Sequence, residues 1–370
     1  MAWCNPIIEF SKEVFFPGEK VTGKVTVSTQ KDMTARNVEI SFFGRILTAW
    51  REDPKKRDRP VEDFCAKNTE DVFLEFKSVV WTPEDGNNTF PAGDYEWKFS
   101  YDLPKDCSAS FESPYGHIRY FLRVNIDVPN WLDTIVENGI TVSPTIDLNS
   151  IPGTNRRSDS EREKINHKVS CIPFLGNYGT VIYKLSLPRR GYVPGETVTI
   201  SGSIENRSSK SLNEIESTLR RRVNYRDDLS RSVFKVVNPD SFNTRTDYLE
   251  FEKKTERCEI KRGETKTFEF SFVIPPVVPT IRSTKLINVE YYVTVEAGRG
   301  ICDTPDYASL NLIIGNIPIM EKGTITLPPH KFVKSDTAQC WSVHLKPKFA
   351  YLVPTYGTSE GESSQDTTHN

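Results

Sequence analysis

Residues Phe15 to Thr22 read FFPGEKVT, and 177 positions later Tyr192 to Thr199 read YVPGETVT. A second pair follows in the same order: FSYDLP at Phe99 to Pro104 and FSFVIP at Phe270 to Pro275, now 171 positions apart. That second offset also carries IRYFLRV (Ile118 to Val124) onto VEYYVTV (Val289 to Val295). Two ordered matches in each half mean two copies of one domain. The change of offset puts six extra residues in the middle of the first copy. They are expected in Arg51 to Asp71, REDPKKRDRPVEDFCAKNTED, a charged, strand-poor stretch that reads as an exposed loop.

Within each copy the signal is β. Val21, Val25 and Val27 alternate with Thr22, Lys24 and Thr26; Val198, Ile200 and Ile204 alternate with Thr199, Ser201 and Ser203. Val38, Ile40 and Phe42 alternate with Glu39 and Ser41. Period-two patterning gives each strand one apolar face, which a second sheet must cover. Pro-Gly punctuation between the runs predicts short antiparallel strands joined by turns. Leu212 to Leu219 can be argued helical, but at offset 177 it aligns with the strand-like Ala35 to Phe42. The expected fold is all-β: two tandem immunoglobulin-like β-sandwiches with a short, mostly disordered C-terminal tail. The domains are expected at 1–150 and 177–320, with a linker at 151–176 and a tail at 321–370. The linker reading rests on the polar run DLNSIPGTNRRSDSEREKINHK, and the tail ends in TSEGESSQDTTHN, which predicts disorder from Thr358.

The net charge of −2 provides no overall field for nucleic acid, and none is expected as a partner. Seven cysteines, odd in number and widely spaced without a CxxC pair, read as free thiols in a reducing compartment. Glu9, Lys12 and Glu13 interrupt the N-terminal region where a signal peptide would be apolar. A cytosolic protein is the expectation, and the sequons at Asn87 and Asn206 read as accidental. The five histidines are scattered, with no HExxH pattern, no glycine-rich phosphate loop and no Gly-x-Ser-x-Gly elbow. No catalytic residue, metal ligand or cofactor is assigned. A duplicated scaffold without such chemistry points to a binding device.

The set FPGEKVTGKVTV (Phe16 to Val27), ISFFGRILTAW (Ile40 to Trp50), PAGDYEWKFSYDLPKDCSASFES (Pro91 to Ser113) and GHIRYFLRVNIDVPNW (Gly116 to Trp131) resembles the α-arrestin, or arrestin domain-containing, family. The second half adds RGYVPGETVTISGSIENRSS (Arg190 to Ser209) and FSFVIPP (Phe270 to Pro276). The resemblance covers about Ile7 to Gly315. It implies arrestin N and C sandwiches and a cytosolic adaptor, peripheral at the plasma membrane or endosomes. Its implied partners are cytoplasmic tails of membrane receptors or transporters and WW-domain HECT-class ubiquitin ligases. A retromer-like sorting-coat subunit is the alternative, with a secreted sandwich protein behind it. No complete Pro-Pro-x-Tyr motif is present; the nearest segments are Pro328-Pro329-His330-Lys331 and Val353-Pro354-Thr355-Tyr356.

Several segments are candidate contacts, each with a plainer alternative. Val353, Pro354 and Tyr356 offer a WW-domain ligand, since a proline and a tyrosine in an extended chain suit an aromatic groove; the alternative is chance. Lys55, Lys56 and Arg57 form a candidate patch for acidic headgroups or a phosphorylated tail, against a solvated loop whose acids nearly cancel them. On a strand over Thr218 to Tyr225, Arg220 and Arg222 share one face as a candidate phosphate contact while Arg221 takes the other; pairing with nearby acids is the alternative. Ser158 and Ser160 follow Arg156-Arg157 as candidate phosphorylation sites. Pro17, Gly18, Pro194 and Gly195 are read as structural turns, with Glu19 and Glu196 satisfying nearby backbone donors.

Overall fold

The alternating runs become strands, and the apolar member of each alternation is buried. Val21, Val25 and Val27, then Val38, Ile40 and Phe42, then Val198, Ile200 and Ile204 are all at most 1% exposed. Each fully buried side chain of this size contributes about 1.5–3 kcal/mol. The structure, a computed structural model, describes residues 5–50, 67–84, 87–165, 179–228, 242–282, 284–298, 307–320, 330–334 and 352–356.

The first half contains β1 (Ile7–Phe10), β2 (Val14–Phe15), β3 (Lys20–Thr29), β4 (Met33–Thr34), β5 (Asn37–Trp50), β6 (Lys67–Trp81), β7 (Thr89–Phe90), β8 (Gly93–Asp102), β9 (Phe111–Ser113), β10 (Gly116–Asp127) and β11 (Thr134–Val142). A three-stranded sheet, β1-β3-β8, faces a six-stranded one, β2-β11-β10-β5-β6 with β9 against β10. Aromatic rings fill the space between them: Tyr101 of β8 stacks on Phe42 of β5 and Phe76 of β6, each with centroids 5.6 Å apart.

The second half repeats the plan with β12 (Ser158–Ile165), β13 (Gly179–Leu187), β14 (Gly191–Tyr192), β15 (Thr197–Ser208), β16 (Leu212–Asp228), β17 (Phe242–Ile260), β18 (Thr265–Val273), β19 (Ile287–Gly298) and β20 (Tyr307–Ile314). Its sheets are β12-β13-β15-β18 and β14-β20-β19-β16-β17. The duplication extends to detail. Parallel pairing of β2 with β11 recurs as β14 with β20. Gly18 and Gly195 turn the chain at φ of +83° and +92°, a region that a side chain disfavours. After each turn a carboxylate closes the loop: the Phe16 N–H donates to Glu19 Oε2 at 2.8 Å, and the Val193 N–H donates to Glu196 Oε2 at 3.0 Å.

Three expectations change, and one is met. The stretch at 151–176 is not linker throughout, because β12 pairs over its whole length with β13. A ladder needs only backbone groups, and an edge strand of Ser, Asp, Glu, Arg and Lys is protected from further pairing by its charges. Leu212 to Leu219 is strand, within β16, as its alignment with Ala35 to Phe42 predicts. The loop expected over Arg51 to Asp71 ends earlier, since β6 begins at Lys67; 51–66 lies outside the described residues. The tail is partly ordered: β21 (His330–Lys334) pairs with β22 (Leu352–Tyr356), while Thr358 to Asn370 lies outside the described residues.

Candidate functional site at the domain junction

The two sandwiches meet where β5 ends and β10 begins. The Thr48 hydroxyl donates to the Arg226 carbonyl at 2.9 Å, across the boundary. Tyr115, in the β9–β10 turn, meets Tyr225 of β16 edge to face, with centroids 5.7 Å apart. The Arg245 guanidinium lies over the Tyr115 ring at 3.7 Å, a cation–π contact made across the same boundary. Strand pairing sets these positions, since Tyr225 faces Arg245 in the β16–β17 register.

Arg221 is the buried charge here. Its inward face continues the alternation Ile215, Ser217, Leu219, Arg221, Val223, Tyr225, all of them buried. Its guanidinium lies 5.5 Å from the Phe111 ring of the first sandwich, and its Nε and Nη1 have no hydrogen-bond partner. Asp247 feels its charge. Burial pushes the Asp247 carboxyl above the usual range, and Arg221 opposes that shift. On the first sandwich, Arg119 and Glu112 form a buried bidentate pair, with Nη2 donating to Oε2 at 2.9 Å and Nε donating to Oε1. His117 is buried beside them with its Nε2 unpartnered. Burial first, then the positive charges of Arg119 and Arg45, hold it neutral, well below its ordinary pKa.

A second clamp lies on the other side of the junction. The Asn316 Nδ2 donates to the Pro144 carbonyl and, at 3.4 Å, to Ser143 Oγ; its Oδ1 accepts the Ile146 N–H at 2.5 Å. One side chain from the end of the second sandwich thus holds the chain leaving the first. Residues 146–154 continue onto the second sandwich, where Leu148 and Ile151 pack with Val193, Ile313 and Tyr356.

Tyr356 shows what becomes of the candidate WW ligand. Its N–H donates to the Pro194 carbonyl at 2.8 Å, and its hydroxyl donates to the Asn316 carbonyl at 2.6 Å. Pro354 and Tyr356 are buried. The segment Val353, Pro354, Tyr356 is therefore not an exposed ligand in this arrangement, because the proline and tyrosine rings that a WW domain would read are both buried within the chain.

The remaining candidates are placed as follows. Arg220 and Arg222 share the outer face and are both paired, Arg220 with Glu250 at 2.6 Å and Arg222 with Glu290 at 2.5 Å. The hydrogen bond to Glu290 holds the Arg222 guanidinium above its ordinary range. They are not a free basic patch. Lys55, Lys56 and Arg57 lie outside the described residues. Ser158 and Ser160 lie on β12, opposite Leu187 and Leu185, so a kinase would meet a paired strand rather than a loose linker. The Asn206 side chain is buried, and its Nδ2 donates to the carbonyls of Lys210 and Ile260, which closes that sequon to a glycan. Burial pushes the Cys107 thiol up to about 11. Among the described residues, no three His, Cys, Asp or Glu side chains converge to hold a metal ion.

Sequence reasoning missed Asn316, Tyr115 and the inward role of Arg221. Only Arg221 left a signal, its place between Leu219 and Val223 in a period-two run.

Comparisons agree with the architecture. The family model described as "Arrestin (or S-antigen), N-terminal domain" matches residues 4–149, and its C-terminal counterpart matches residues 177–319. Similar proteins include arrestin domain-containing protein 17 of Caenorhabditis elegans, 26% identical over 316 residues, covering 83% of this chain and 68% of that protein. Arrestin domain-containing protein 4 of Mus musculus is 26% identical over 365 residues, covering 96% of this chain and 81% of its own length. Arrestin domain-containing protein 1 of Homo sapiens is 23% identical over 329 residues, covering 87% and 67%.

Proposed function

The chain belongs to the arrestin family, in its arrestin domain-containing (α-arrestin) branch, and from that premise we propose that it is a non-enzymatic cytosolic adaptor. It binds cytoplasmic segments of membrane receptors or transporters and couples them to endocytosis or endosomal sorting. One observation carries this reading: the two copies treat the same sheet edge differently. In the second, β12 covers β13. In the first, the equivalent strand β1 pairs with β3 alone among the described residues. The Ile8 carbonyl accepts from the side chain of Asn138, at 3.2 Å. An extended segment added along β1 would reproduce in trans what β12 does in cis, which is recognition by β-augmentation.

Recruitment of a WW-domain ubiquitin ligase through Val353 to Tyr356 requires that segment to leave its dock first. Affinity capture with mass spectrometry tests the adaptor reading. Membrane receptors or transporters should be recovered, and Ile7→Asp, on the open strand, should lose them without lowering the unfolding temperature. Recovery of only soluble metabolic or nuclear partners would overturn it.

A further inference from the structure

We infer that the turn at Pro129 to Leu132, at the far end of the first sandwich, is a wedge that inserts into the surface of a lipid bilayer. The turn joins β10 to β11. The Trp131 N–H donates to the Val128 carbonyl at 3.3 Å, with Pro129 and then Asn130 at φ +58° between them. That is the pattern of a type II turn, with proline at the second position and a left-handed residue at the third. Immediately after it, Trp131 and Leu132 are 69% and 83% exposed, and Leu132 is the most exposed large apolar residue among those described. A single exposed leucine is ordinary; an adjacent tryptophan and leucine displayed on a fixed turn are not.

The surroundings fit a bilayer better than a protein groove. Both acids flanking the apex are engaged within the chain, Asp127 half-buried and Asp133 exposed. The Asp133 carboxylate accepts the Val128 N–H at 3.2 Å, and Asp127 is held by Arg36 at 2.7 Å and by Asn37. The apex presents tryptophan and leucine, above an Arg36–Asp127 pair whose charges offset each other. Tryptophan favours the boundary between headgroups and acyl chains. The tip is the end of the β10–β11 hairpin, with its two apolar side chains exposed, a projection that something deformable can receive. Further back on the outer sheet face, Ile135 and Val79 are also more than half exposed, in one row with Glu39 and Asn125 between them.

The placement suits such a role. β10 runs from Gly116, beside Ile287 at the junction, to Asp127 under the tip. Its length separates the tip from the junction by roughly 36 Å at 3.3 Å per residue. Insertion would leave the junction clear of the membrane. Ile7 pairs with Thr26 toward the same end, which brings the open β1 edge near the bilayer. The inference does not depend on the cargo reading, since it concerns lipid alone.

Flotation of the full chain with protein-free vesicles tests it. The vesicles are phosphatidylcholine alone, or phosphatidylcholine with phosphatidylserine. The wild type should float with both, and raising the salt from about 0.1 M to about 1 M should not release it, because apolar insertion is not screened. Trp131→Ser with Leu132→Ser should lower partitioning at least about tenfold at unchanged unfolding temperature. Trp131→Phe with Leu132→Ile should retain most of it. Absence of flotation, flotation only on anionic vesicles at low salt, or equal flotation of the double serine variant would each overturn the inference. Because these vesicles hold no cargo, none of those results bears on whether β1 binds a cytoplasmic tail.

Discussion

The Tyr356 hydroxyl donates to the backbone carbonyl of Asn316 at 2.6 Å, and the side chain of that same Asn316 reaches across to Ser143, Pro144 and Ile146 of the first sandwich. The last described strand is thereby joined to the domain junction through one residue. Whatever draws the tail from its dock removes a hydrogen bond from the residue that holds the two halves together.

Gly195 gives a way to release the tail without altering its sequence. A Cβ at Gly195 would lie 1.6 Å from the Tyr356 carbonyl oxygen, backbone that cannot yield locally. The equivalent Cβ at Gly18 would meet only the flexible Lys105 side chain, at 3.3 Å. Both glycines have positive φ, so each alanine costs about 1–2 kcal/mol of backbone strain. Gly195→Ala alone should also expel β22. Hydrogen exchange at residues 352–356 should accelerate in Gly195→Ala and remain slow in Gly18→Ala. Capture of the chain by an immobilised WW domain should rise only in the former.

Asn316→Ala should loosen the junction itself. It leaves the Ile146 N–H without its acceptor and the Pro144 carbonyl without its donor. An unsatisfied buried group costs about 1–3 kcal/mol, so the loss should be about 2–4 kcal/mol in denaturant unfolding. Asn316→Asp keeps the acceptor for Ile146 but not the donor, and should fall between the two. Equal stability of all three proteins would show that water replaces the side chain.

What was legible in the sequence was whatever repeats at short range. Val21, Val25 and Val27 announced β3, and the glycines of the two PGE turns announced positive φ, because period-two burial and turn geometry are local. Arg221 was half legible: its register put it opposite Arg220 and Arg222, but only the fold shows that this side is the core. β12 was invisible because an edge strand takes its energy from backbone bonds to β13 and needs no apolar residue. The Asn316 clamp and the Tyr356 dock were invisible for another reason. They join residues 172 and 40 positions apart, and no periodicity marks a contact of that kind.

His117 predicts a pH dependence. In the unfolded chain it takes up a proton near pH 6.5; in the folded chain burial, Arg119 and Arg45 prevent this until much lower pH. Below about pH 6.5 the unfolded state therefore binds more protons, and stability falls as pH falls. The slope approaches about 1.4 kcal/mol per pH unit. The raised Asp247 carboxyl acts in the opposite sense, favouring the folded state on the acid side. The difference between wild type and His117→Leu isolates the histidine. Between about pH 6.5 and 5 the wild type should lose stability relative to this variant, and the two curves should run parallel above pH 7. Parallel curves throughout would mean that the folded protein accepts the proton.

The buried pair beside it supplies the last test. Glu112 and Arg119 lie within the described core at 3% and 4% exposure. Removing one partner strands the other charge, which typically costs about 3–5 kcal/mol. Glu112→Gln should approach that loss, since the amide keeps the shape but not the charge. Glu112→Leu with Arg119→Met removes both charges, and should recover most of the stability despite being the larger change. A double-mutant cycle measured by denaturant unfolding reads the difference as a coupling energy. If the double variant is as unstable as the sum of its two single changes, the pair is not acting as a pair, and the cost lies in packing against β9.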